Sequence, residues 1–357
     1  METGSEPLTI LPEPYVETAY PLENSRRPAF TDPKKEKLYD VALRTLQLCM
    51  HDTYEDCPYY EQLLYCSDSR LEMLFTYRVS GDPRLALHCI RLFAASQTPQ
   101  GFVRSRYPSH EPQIIPCFSL YYILMLEDYI NETGDTASIA PMIPGAERIL
   151  ETFLSRRTEQ GLIKTQGYWE FCDWAPEWDS RHGVPNACDT GVSTIENLLF
   201  IYAAQSLIRI LPLFHRPELA NYYYTEVREL MRCVNAYCYD PERGLYMDAP
   251  GFHEYTQHAQ MYAVLTGCID RVNGKALMEK TLDDPSLIQC TFVQRFYLFR
   301  ALEMTGLYDR TEALWQTWQD FIDLHCTTFP EAPDRPRSDC HGWSALPLYE
   351  FSVHDPD

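Results

Sequence analysis

Three acidic residues stand close together in the segment that begins Asp-Cys-Pro-Tyr-Tyr-Glu. Asp56, Glu61 and Asp68 are separated by five and seven positions. If the segment from Tyr59 is helical, Glu61, Tyr65 and Asp68 share one face, because residues four and seven apart do so in an α-helix. Grouped carboxyl groups can carry general acid and base chemistry. A solvated acidic helix face is the alternative, but the aromatic and apolar residues on the same face favour a site.

A second cluster reads Tyr-Trp-Glu-Phe-Cys-Asp-Trp-Ala-Pro-Glu-Trp over residues 168–178. It holds three of the six tryptophans of the chain, interleaved with acids. Aromatic side chains of this segment could stack on the apolar face of a sugar, beside carboxylates that bind its hydroxyl groups. A loop whose tryptophans fill the core explains the pattern equally well.

A third cluster combines Thr-Phe-Pro-Glu, ending at Glu331, with Ser-Asp-Cys-His-Gly-Trp, which contains His341. A lone histidine is more often structural than catalytic. Here an acid, an imidazole and a tryptophan share one Pro-rich loop before the last helix, which favours a site. His258, at the start of a predicted helix, is interpreted as structural.

The elements that must position these residues are helices. From residue 36 onward apolar residues recur at steps of three and four, the helix period, and alternating stretches typical of strands are nearly absent. The predicted helices are 36–50, 71–79, 83–95, 118–131, 139–156, 191–211, 217–237, 257–269, 292–304 and 310–325.

The connections between these helices predict a repeated two-helix unit. Gly followed by Asp recurs between helices, where Gly can end one helix and Asp can cap the next. Helical hairpins over about 320 residues predict an all-α fold, an (α/α)6 barrel with short β pieces in its mouth loops. An open solenoid is the alternative. We expect an extended arm over 1–35 and the barrel over 36–357, with long loops at 98–116, 165–189, 239–256 and 326–340 gathered at one mouth.

The net charge of the chain limits the kinds of molecule that it can bind. The 357 residues carry a formal charge of −21, which disfavours nucleic acid and anionic membranes. It also disfavours a strongly anionic substrate unless a local basic pocket exists, and it leaves a neutral sugar easy to accommodate. We find no window of about 20 apolar residues and expect no membrane span.

Cysteine usage predicts the compartment. The 13 cysteines are scattered, and none forms a CxxC pair, so neither a zinc ribbon nor a thioredoxin-like site is supported. Free buried thiols in a reducing compartment are preferred over disulfides. The first residues show no secretory signal, so we expect a cytoplasmic protein.

Taken together, the motifs resemble the α-L-rhamnosidases of glycoside hydrolase family 78. The block Asp-Cys-Pro-x-x-Glu with a further Asp seven residues later is similar to the catalytic signature of that family. Phe-Cys-Asp-Trp, Thr-Phe-Pro-Glu and Ser-Asp-Cys-His-Gly-Trp-Ser-Ala follow in the family's order. The resemblance covers residues 36–351, the whole (α/α)6 catalytic domain.

The resemblance implies a role for each matching residue. Glu61 would be the general acid that protonates the glycosidic oxygen, and Glu331 the general base that activates water. Inversion of the anomeric carbon, exo action on terminal rhamnose and no metal or other cofactor are implied as well. We expect burial and the neighbouring acids to raise the pKa of Glu61. The residues implied to bind the sugar are Asp56, Asp68, Trp169, Asp173, Trp174 and His341.

The sequence departs from the family pattern in two ways. Many relatives have Gly immediately before the third acid, where this sequence has Ser67. Family members also flank the barrel with β-sandwich modules, which this chain does not show. Three interpretations stay open. The chain is a minimal enzyme on rhamnose-containing glycosides or oligosaccharides, or a second copy or partner supplies the wall of the site that a β-module would form, or the substrate has changed.

Other functions fit the same barrel. One is a different glycosidase or a sugar epimerase, which would rely on paired histidines. Another is a non-catalytic carbohydrate-binding barrel, which would need only the tryptophans and aspartates. Retention of both Glu61 and Glu331 favours the hydrolase.

Overall fold

The computed structural model describes residues 16–354, and helix dominates this part of the chain. With six short 3-10 segments included, helix makes up 58% of it, as predicted. The helices are α1 (Pro33–Leu48), α2 (Cys66–Val79), α3 (Arg84–Ala95), α4 (Pro116–Thr133), α5 (Thr136–Ile139), α6 (Ile143–Leu154), α7 (Thr194–Ile210), α8 (Pro217–Tyr237), α9 (Gln257–Leu265), α10 (Arg271–Asp283), α11 (Phe292–Thr305), α12 (Gln316–Asp323) and α13 (Pro347–His354).

Six of the helices form an inner ring. α2 contacts α4, α4 contacts α7, α7 contacts α9 and α9 contacts α11; α13 and the 3-10 turn Gly342–Ser344 before it close the ring onto α2. Most residues of these helices are buried, polar ones included, and all residues of α2 except Arg78 are buried. A helix surrounded by other helices has no face left for solvent.

The remaining long helices form an outer layer. α3 packs against α2 and α4, α6 against α4 and α7, and α10 against α9 and α11, while α1 and α8 lie against α13 and α7. The shorter α12, which contacts α1, is the sixth helix of this layer. They are amphipathic: α8 buries Ala220, Tyr223, Val227, Leu230 and Val234, at helical spacing. The alternation of outer and inner helices gives six hairpins, which is the predicted (α/α)6 barrel.

Strand is confined to one loop of the described chain. β1 (Tyr239–Asp240) pairs antiparallel with β2 (Leu245–Tyr246), inside the predicted loop 239–256. The glycine C-caps are confirmed where α4 and α11 end, because Gly134 and Gly306 both adopt the left-handed conformation. Asp135 then caps α5 by accepting a hydrogen bond from the Ser138 amide.

Three helix predictions differ from the structure. α10 was missed, because it buries only Gly274, Leu277, Met278 and Thr281 and its apolar pattern is weak. The predicted run 139–156 contains the 3-10 turn Ala140–Met142, and the run 310–325 begins as a 3-10 segment.

One correction concerns the membrane. The segment Thr194–Phe214 is long and apolar enough to cross a membrane by length and composition, which the sequence analysis did not recognise. In the structure 61% of its most apolar window is buried, in contact with α4, α8 and α9. The core helix of a barrel can be equally long and apolar. The place of α7 in the inner ring therefore explains the apolar character of Thr194–Phe214.

The described part of the arm, residues 16–32, contains no helix or strand. The Tyr20 amide bonds to the Met50 carbonyl, and the Arg26 amide to the Val79 carbonyl, each at 2.9 Å. Residues 1–15 of the predicted arm and 355–357 of the predicted barrel lie outside the described residues. All 13 cysteines are described and are free thiols, as expected; the cytoplasmic location stays a prediction.

Candidate active site

A cavity of about 660 Å³ lies among the loops that precede α2, follow α6 and precede α13. The structure brings seven of the eight predicted site residues to it from three distant parts of the chain. They are Asp56, Glu61, Asp68, Trp169, Trp174, Glu331 and His341. Asp173 is the exception.

The first acidic motif is not helical before Cys66, which corrects the predicted shared helix face. Gln62 takes a left-handed conformation, with φ of 53°, so no helix passes through it. Asp56 holds the turn instead: its Oδ1 accepts the Leu63 amide at 3.0 Å, and its own amide donates to the Leu63 carbonyl at 2.9 Å. The turn places Glu61 above the N-terminus of α2, where Asp68 lies in the first helical turn.

Glu61 is surrounded by hydrogen-bond donors. Tyr65 Oη donates to Glu61 Oε2 at 2.7 Å, and Arg106 Nη1 lies 3.6 Å from the same oxygen. Arg337 Nη2 donates to Oε1. Burial raises the pKa of Glu61, but the hydrogen bonds from Arg337 and Tyr65 and the two guanidinium charges outweigh it, so the pKa lies below its usual value. The expected upward shift is therefore wrong for this arrangement.

The floor of the cavity holds a carboxyl–imidazole pair. Asp68 Oδ1 lies 3.0 Å from His341 Nε2, and both residues are almost fully buried. Burial raises the pKa of Asp68 to about 8 and lowers that of His341, so the neutral forms of both are favoured near pH 7. Asp68 Oδ2 and His341 Nδ1 have no hydrogen-bond partner among residues 16–354.

Asp56 lies beside this pair. Burial raises its pKa to about 6, against the opposing charge of His341. Because burial removes water from a carboxylate, the acids of the floor resist ionisation more than free aspartates do. The floor can therefore offer both donors and acceptors to hydroxyl groups.

A buried acid that the sequence analysis missed lies beneath the floor. Glu72 is fully buried, and neither of its carboxyl oxygens has a partner among the described residues. Burial, with Asp68 and Asp56 nearby, raises its pKa well above the usual range. A Cβ on Gly342 would come within 1.9 Å of Glu72 Oε1, so the glycine of the Cys-His-Gly-Trp motif is required by this close approach.

The loop before α13 fixes Glu331 through its backbone. The Glu331 amide donates to the Ser338 carbonyl at 2.9 Å, and its carbonyl accepts Trp343 Nε1 at 2.8 Å. The Trp343 ring also packs on His341, with centroids 4.0 Å apart. Glu331 is 6% exposed and its side chain lines the cavity. Trp343 thus holds both Glu331 and His341, the two predicted site residues of this loop.

The aromatic segment 168–178 forms one wall. Trp169, Phe171 and Trp174 line the cavity, and Phe171 contacts both tryptophans with ring centroids 5.5 and 5.0 Å away. Trp169 Nε1 donates to the His182 carbonyl at 3.0 Å. Trp178, by contrast, is fully buried in the core, so one part of the segment lines the cavity and another part fills the core.

Asp173 does not line the cavity with the other predicted site residues, and its role in binding the sugar stays a prediction. It is fully buried, and its carboxylate lies 2.7 Å from His258 Nε2 and accepts the amides of Trp174 and Thr291. The Thr291 hydroxyl donates to it as well. These bonds tie the aromatic segment to α9 and α11, so Asp173 positions the wall.

Asp173, His258 and Cys290 are close enough to one another to hold a metal ion among the described residues. The carboxylate already receives the four hydrogen bonds above, and a metal would have to displace some of them. The buried guanidinium of Arg295 also lies near Asp173 and Cys290, and its charge opposes a cation. The group fits a structural network better than a metal centre.

Several residues of the site were missed. Tyr65 was named only for its helical spacing, and Arg106 and Arg337 were not considered. The cavity is also lined by Asp179, Arg181, His182, Arg335 and Arg337. Their place along the sequence could have identified the two arginines, because Arg335 and Arg337 stand between Glu331 and His341 in the predicted mouth loop 326–340.

Comparison with known proteins gives a consistent result. The family model of the bacterial alpha-L-rhamnosidase six-hairpin glycosidase domain matches residues 30–348. A glycoside hydrolase family 78 rhamnosidase of a Bacillus species is similar in structure, with a TM-score of 0.85 and 26% identity over 93% of this chain and 36% of that one. No curated protein matches the sequence.

Two further structures are similar in fold. A rhamnosidase from Klebsiella oxytoca with rhamnose bound has a TM-score of 0.81 and 23% identity over 92% of this chain and 65% of its own. A family 63 mannosylglycerate hydrolase from Thermus thermophilus has a TM-score of 0.63 and 14% identity over 89% of this chain and 99% of its own. The chain thus spans about a third to two thirds of the two rhamnosidases.

Proposed function

Because the chain belongs to the bacterial α-L-rhamnosidase six-hairpin glycosidase family, we propose that it is an inverting exo-glycoside hydrolase. It removes terminal α-L-rhamnosyl residues from glycosides or oligosaccharides. Glu61 is the general acid that protonates the glycosidic oxygen, and Glu331 is the general base that takes a proton from the attacking water.

The observation that carries this proposal is the convergence of the two glutamates on one cavity. They stand 270 positions apart in the sequence, and both line a pocket whose floor holds Asp56, Asp68 and His341. Inverting glycoside hydrolysis uses one carboxyl group as the acid and a second, which activates water on the opposite face of the sugar ring, as the base. An inverting enzyme needs about 6.5–9.5 Å between the two carboxyl groups, to leave room for water.

The walls suit a 6-deoxy sugar. Trp169 and Trp174 offer flat surfaces to the apolar face of the ring, while Ile115 and Phe118 give an apolar contact for its methyl group. Asp68 Oδ2 and His341 Nδ1, which lack partners among the described residues, are available to the ring hydroxyls. Rhamnose bound in the Klebsiella oxytoca relative supports a rhamnose-containing substrate.

The barrel relies on its own residues for catalysis in this proposal. The chain covers 36% of the Bacillus relative, so a wall supplied by a second copy or by a partner with β-modules is the companion proposal. Dilution of the purified protein separates a wall supplied by a second copy, for which specific activity falls, from a self-sufficient barrel, for which it stays constant. A wall supplied by a different partner predicts instead that activity rises when that partner is added.

The test is release of nitrophenol from nitrophenyl glycosides, with α-L-rhamnoside, α-D-mannoside and β-D-glucoside compared. We expect turnover of the rhamnoside and, by proton NMR in the first minutes, β-rhamnose as the first product. Glu331→Gln should lose about 10²–10⁴-fold on every rhamnoside. Glu61→Gln should lose as much on an alkyl rhamnoside and far less on the nitrophenyl one, because nitrophenolate leaves without protonation.

Each part of the proposal has its own contrary result. An α-configured first product would mean that Glu331 is a nucleophile or a bystander. Faster turnover of the mannoside would assign a different glycone to the same barrel. No hydrolysis of any glycoside, together with binding of rhamnose, would favour the carbohydrate-binding alternative.

A further inference from the structure

The guanidinium of Arg337 lies at the mouth of the cavity with most of its hydrogen-bonding capacity unused. Its side chain is 54% exposed. Among residues 16–354 its hydrogen bonds go to Glu61 alone, through Nη2. A guanidinium carries five N–H donors. Most of them are therefore open to a molecule that enters the cavity.

Exposed tyrosines stand beside Arg337. Its Cζ lies 5.8 Å from the centroid of the Tyr60 ring. Tyr60 is 56% exposed and Tyr59 is 80% exposed, although both are large aromatic residues immediately before Glu61. Their rings pack edge to face with centroids 5.2 Å apart. An aromatic face next to a cation is a surface on which a second sugar ring can stack.

The position of Arg337 identifies what it would contact, and this step rests on the proposed function. If Glu61 protonates the glycosidic oxygen, the leaving group lies on the side of the cavity that Glu61 occupies. Arg337 touches Glu61 and extends toward solvent from there. The molecule that meets Arg337 is therefore the aglycone and not the rhamnosyl ring.

The charge around Arg337 differs from that of the other cations of the cavity. Arg181 is already bound through two N–H groups to Asp189, and Arg335 lies 4.0 Å from Asp334. Among the described residues Arg337 donates only to Glu61, the group that must take up a proton, while the carboxyl of Glu331 also lies close enough to act on its charge. In a chain with a net charge of −21, an anion would be repelled elsewhere, so the accessible guanidinium beside Glu61 gives local selectivity for one.

We propose that Arg337 and Tyr60 form an aglycone subsite for a uronic acid, so that the substrates are α-L-rhamnosyl uronic acids. The carboxylate of the uronic acid accepts two N–H groups of Arg337, the fork geometry that guanidinium groups favour. Its ring stacks on Tyr60. The scissile oxygen then lies against Glu61.

The subsite also explains how Glu61 could act as an acid. In the free protein the Arg337 contact helps to keep the pKa of Glu61 low, against the effect of its burial, and an ionised carboxylate cannot protonate a leaving group. A substrate carboxylate that draws the guanidinium away removes this opposing charge. Only Tyr65 and Arg106 then oppose the effect of burial, so the pKa of Glu61 rises when the right aglycone is bound.

The test compares 3-carboxyphenyl α-L-rhamnoside with 3-carbamoylphenyl α-L-rhamnoside, which differ in charge but little in shape. We expect kcat/KM of the parent protein to be about tenfold or more higher for the carboxylate, equivalent to about 1.4 kcal/mol. The preference should shrink between about 0.02 and 0.5 M salt, because screening weakens the contact. Arg337→Met should bring the ratio close to one, and Arg337→Lys should restore part of it.

Arg232→Met is the matched control. Arg232 is an exposed guanidinium paired with Glu229 on α8, outside the cavity, and its loss changes the net charge equally. The control should keep the full preference. Equal rates for the two substrates in the parent protein, or an unchanged preference in Arg337→Met, would overturn the subsite while turnover of nitrophenyl rhamnoside leaves the proposed function intact. Failure to hydrolyse the nitrophenyl compound would overturn the proposed function itself, and the subsite with it.

Discussion

Two buried pairs of an aspartate and a histidine contrast within the barrel. Asp68 Oδ1 lies 3.0 Å from His341 Nε2 on the floor of the cavity. Asp173 Oδ2 lies 2.7 Å from His258 Nε2, away from the cavity and beneath the aromatic segment. All four residues are at most 2% exposed. By residue type, burial and distance the pairs are nearly the same.

They differ in how far each carboxylate is satisfied. Asp173 accepts hydrogen bonds from two amides, a hydroxyl and the imidazole. Asp68 Oδ2 has no partner among residues 16–354, while Nδ1 of both histidines is unpartnered there. A saturated carboxylate ties elements together, and an unsatisfied one beside a cavity has capacity left for a ligand. Four substitutions can break or sharpen this contrast.

The largest effect is expected for the stability of Asp173→Asn. The substitution replaces one acceptor oxygen with an NH2 group, which then faces donors from His258, Thr291 or Trp174. Unpaired buried donors and a broken buried pair should lower the free energy of unfolding by about 3–5 kcal/mol. Urea denaturation measures it. Asp68→Asn is the matched control. At about pH 5, where the raised pKa keeps the Asp68 carboxyl protonated, it should change the free energy of unfolding by about 1 kcal/mol or less; equal losses in the two variants would erase the contrast.

The next effect is on activity at the floor. Asp68→Asn should lower kcat/KM on nitrophenyl rhamnoside by about 10²-fold, since it alters the group proposed to bind a ring hydroxyl in the transition state. The fold should be preserved, as the circular dichroism spectrum and the melting temperature would show. Activity within about threefold of the parent would mean that the unpartnered oxygen does not contact substrate.

A smaller effect should appear in the pH dependence of stability. Folded Asp68 has a pKa of about 8, whereas an unfolded aspartate has one of about 3.9. The folded chain therefore binds a proton that the unfolded chain releases, so this contribution is full below about pH 4 and is lost as the pH rises through 8. Between about pH 6 and 8 the parent should lose about 2 kcal/mol relative to Asp68→Asn. A constant difference over that range would contradict the raised pKa.

The smallest effect is expected for His258→Gln. A glutamine amide can still donate to Asp173, so the loss of stability should be about 1 kcal/mol, with kcat/KM changed less than about twofold. His341→Gln, in the same assay, should lose more than about tenfold in kcat/KM because its imidazole lines the cavity. A larger activity loss for His258→Gln than for His341→Gln would reverse the assignment of the two pairs.

The local pattern predicted the helices well where one face of a helix is apolar. The bounds of α8, Pro217–Tyr237, were predicted without error, because its buried residues follow the helix period. α10 was missed because tertiary packing, and not an apolar face, holds it in place. The length of the apolar run in α7 was also not recognised. A helix of the inner ring is buried on every side, so its apolar residues are not confined to one face.

The sequence also predicted which segments meet, but not how each residue is used. Asp173 matches its motif, yet Thr291 and His258, 118 and 85 positions away, draw its carboxylate out of the cavity. The low pKa of Glu61 depends on Arg337, which is 276 positions away. No local pattern encodes such a contact, since it exists only when the barrel closes.

By itself, then, the sequence determined the helical period, the hairpin repeat and the three motifs that converge on one cavity, because these depend on residue type and spacing along the chain. The tertiary structure decided which acid is ionised, which carboxylate is saturated and which guanidinium stays available. Those properties follow from burial and from neighbours brought together by the closed ring, and electrostatic interactions depend on distance in space and not on separation along the chain.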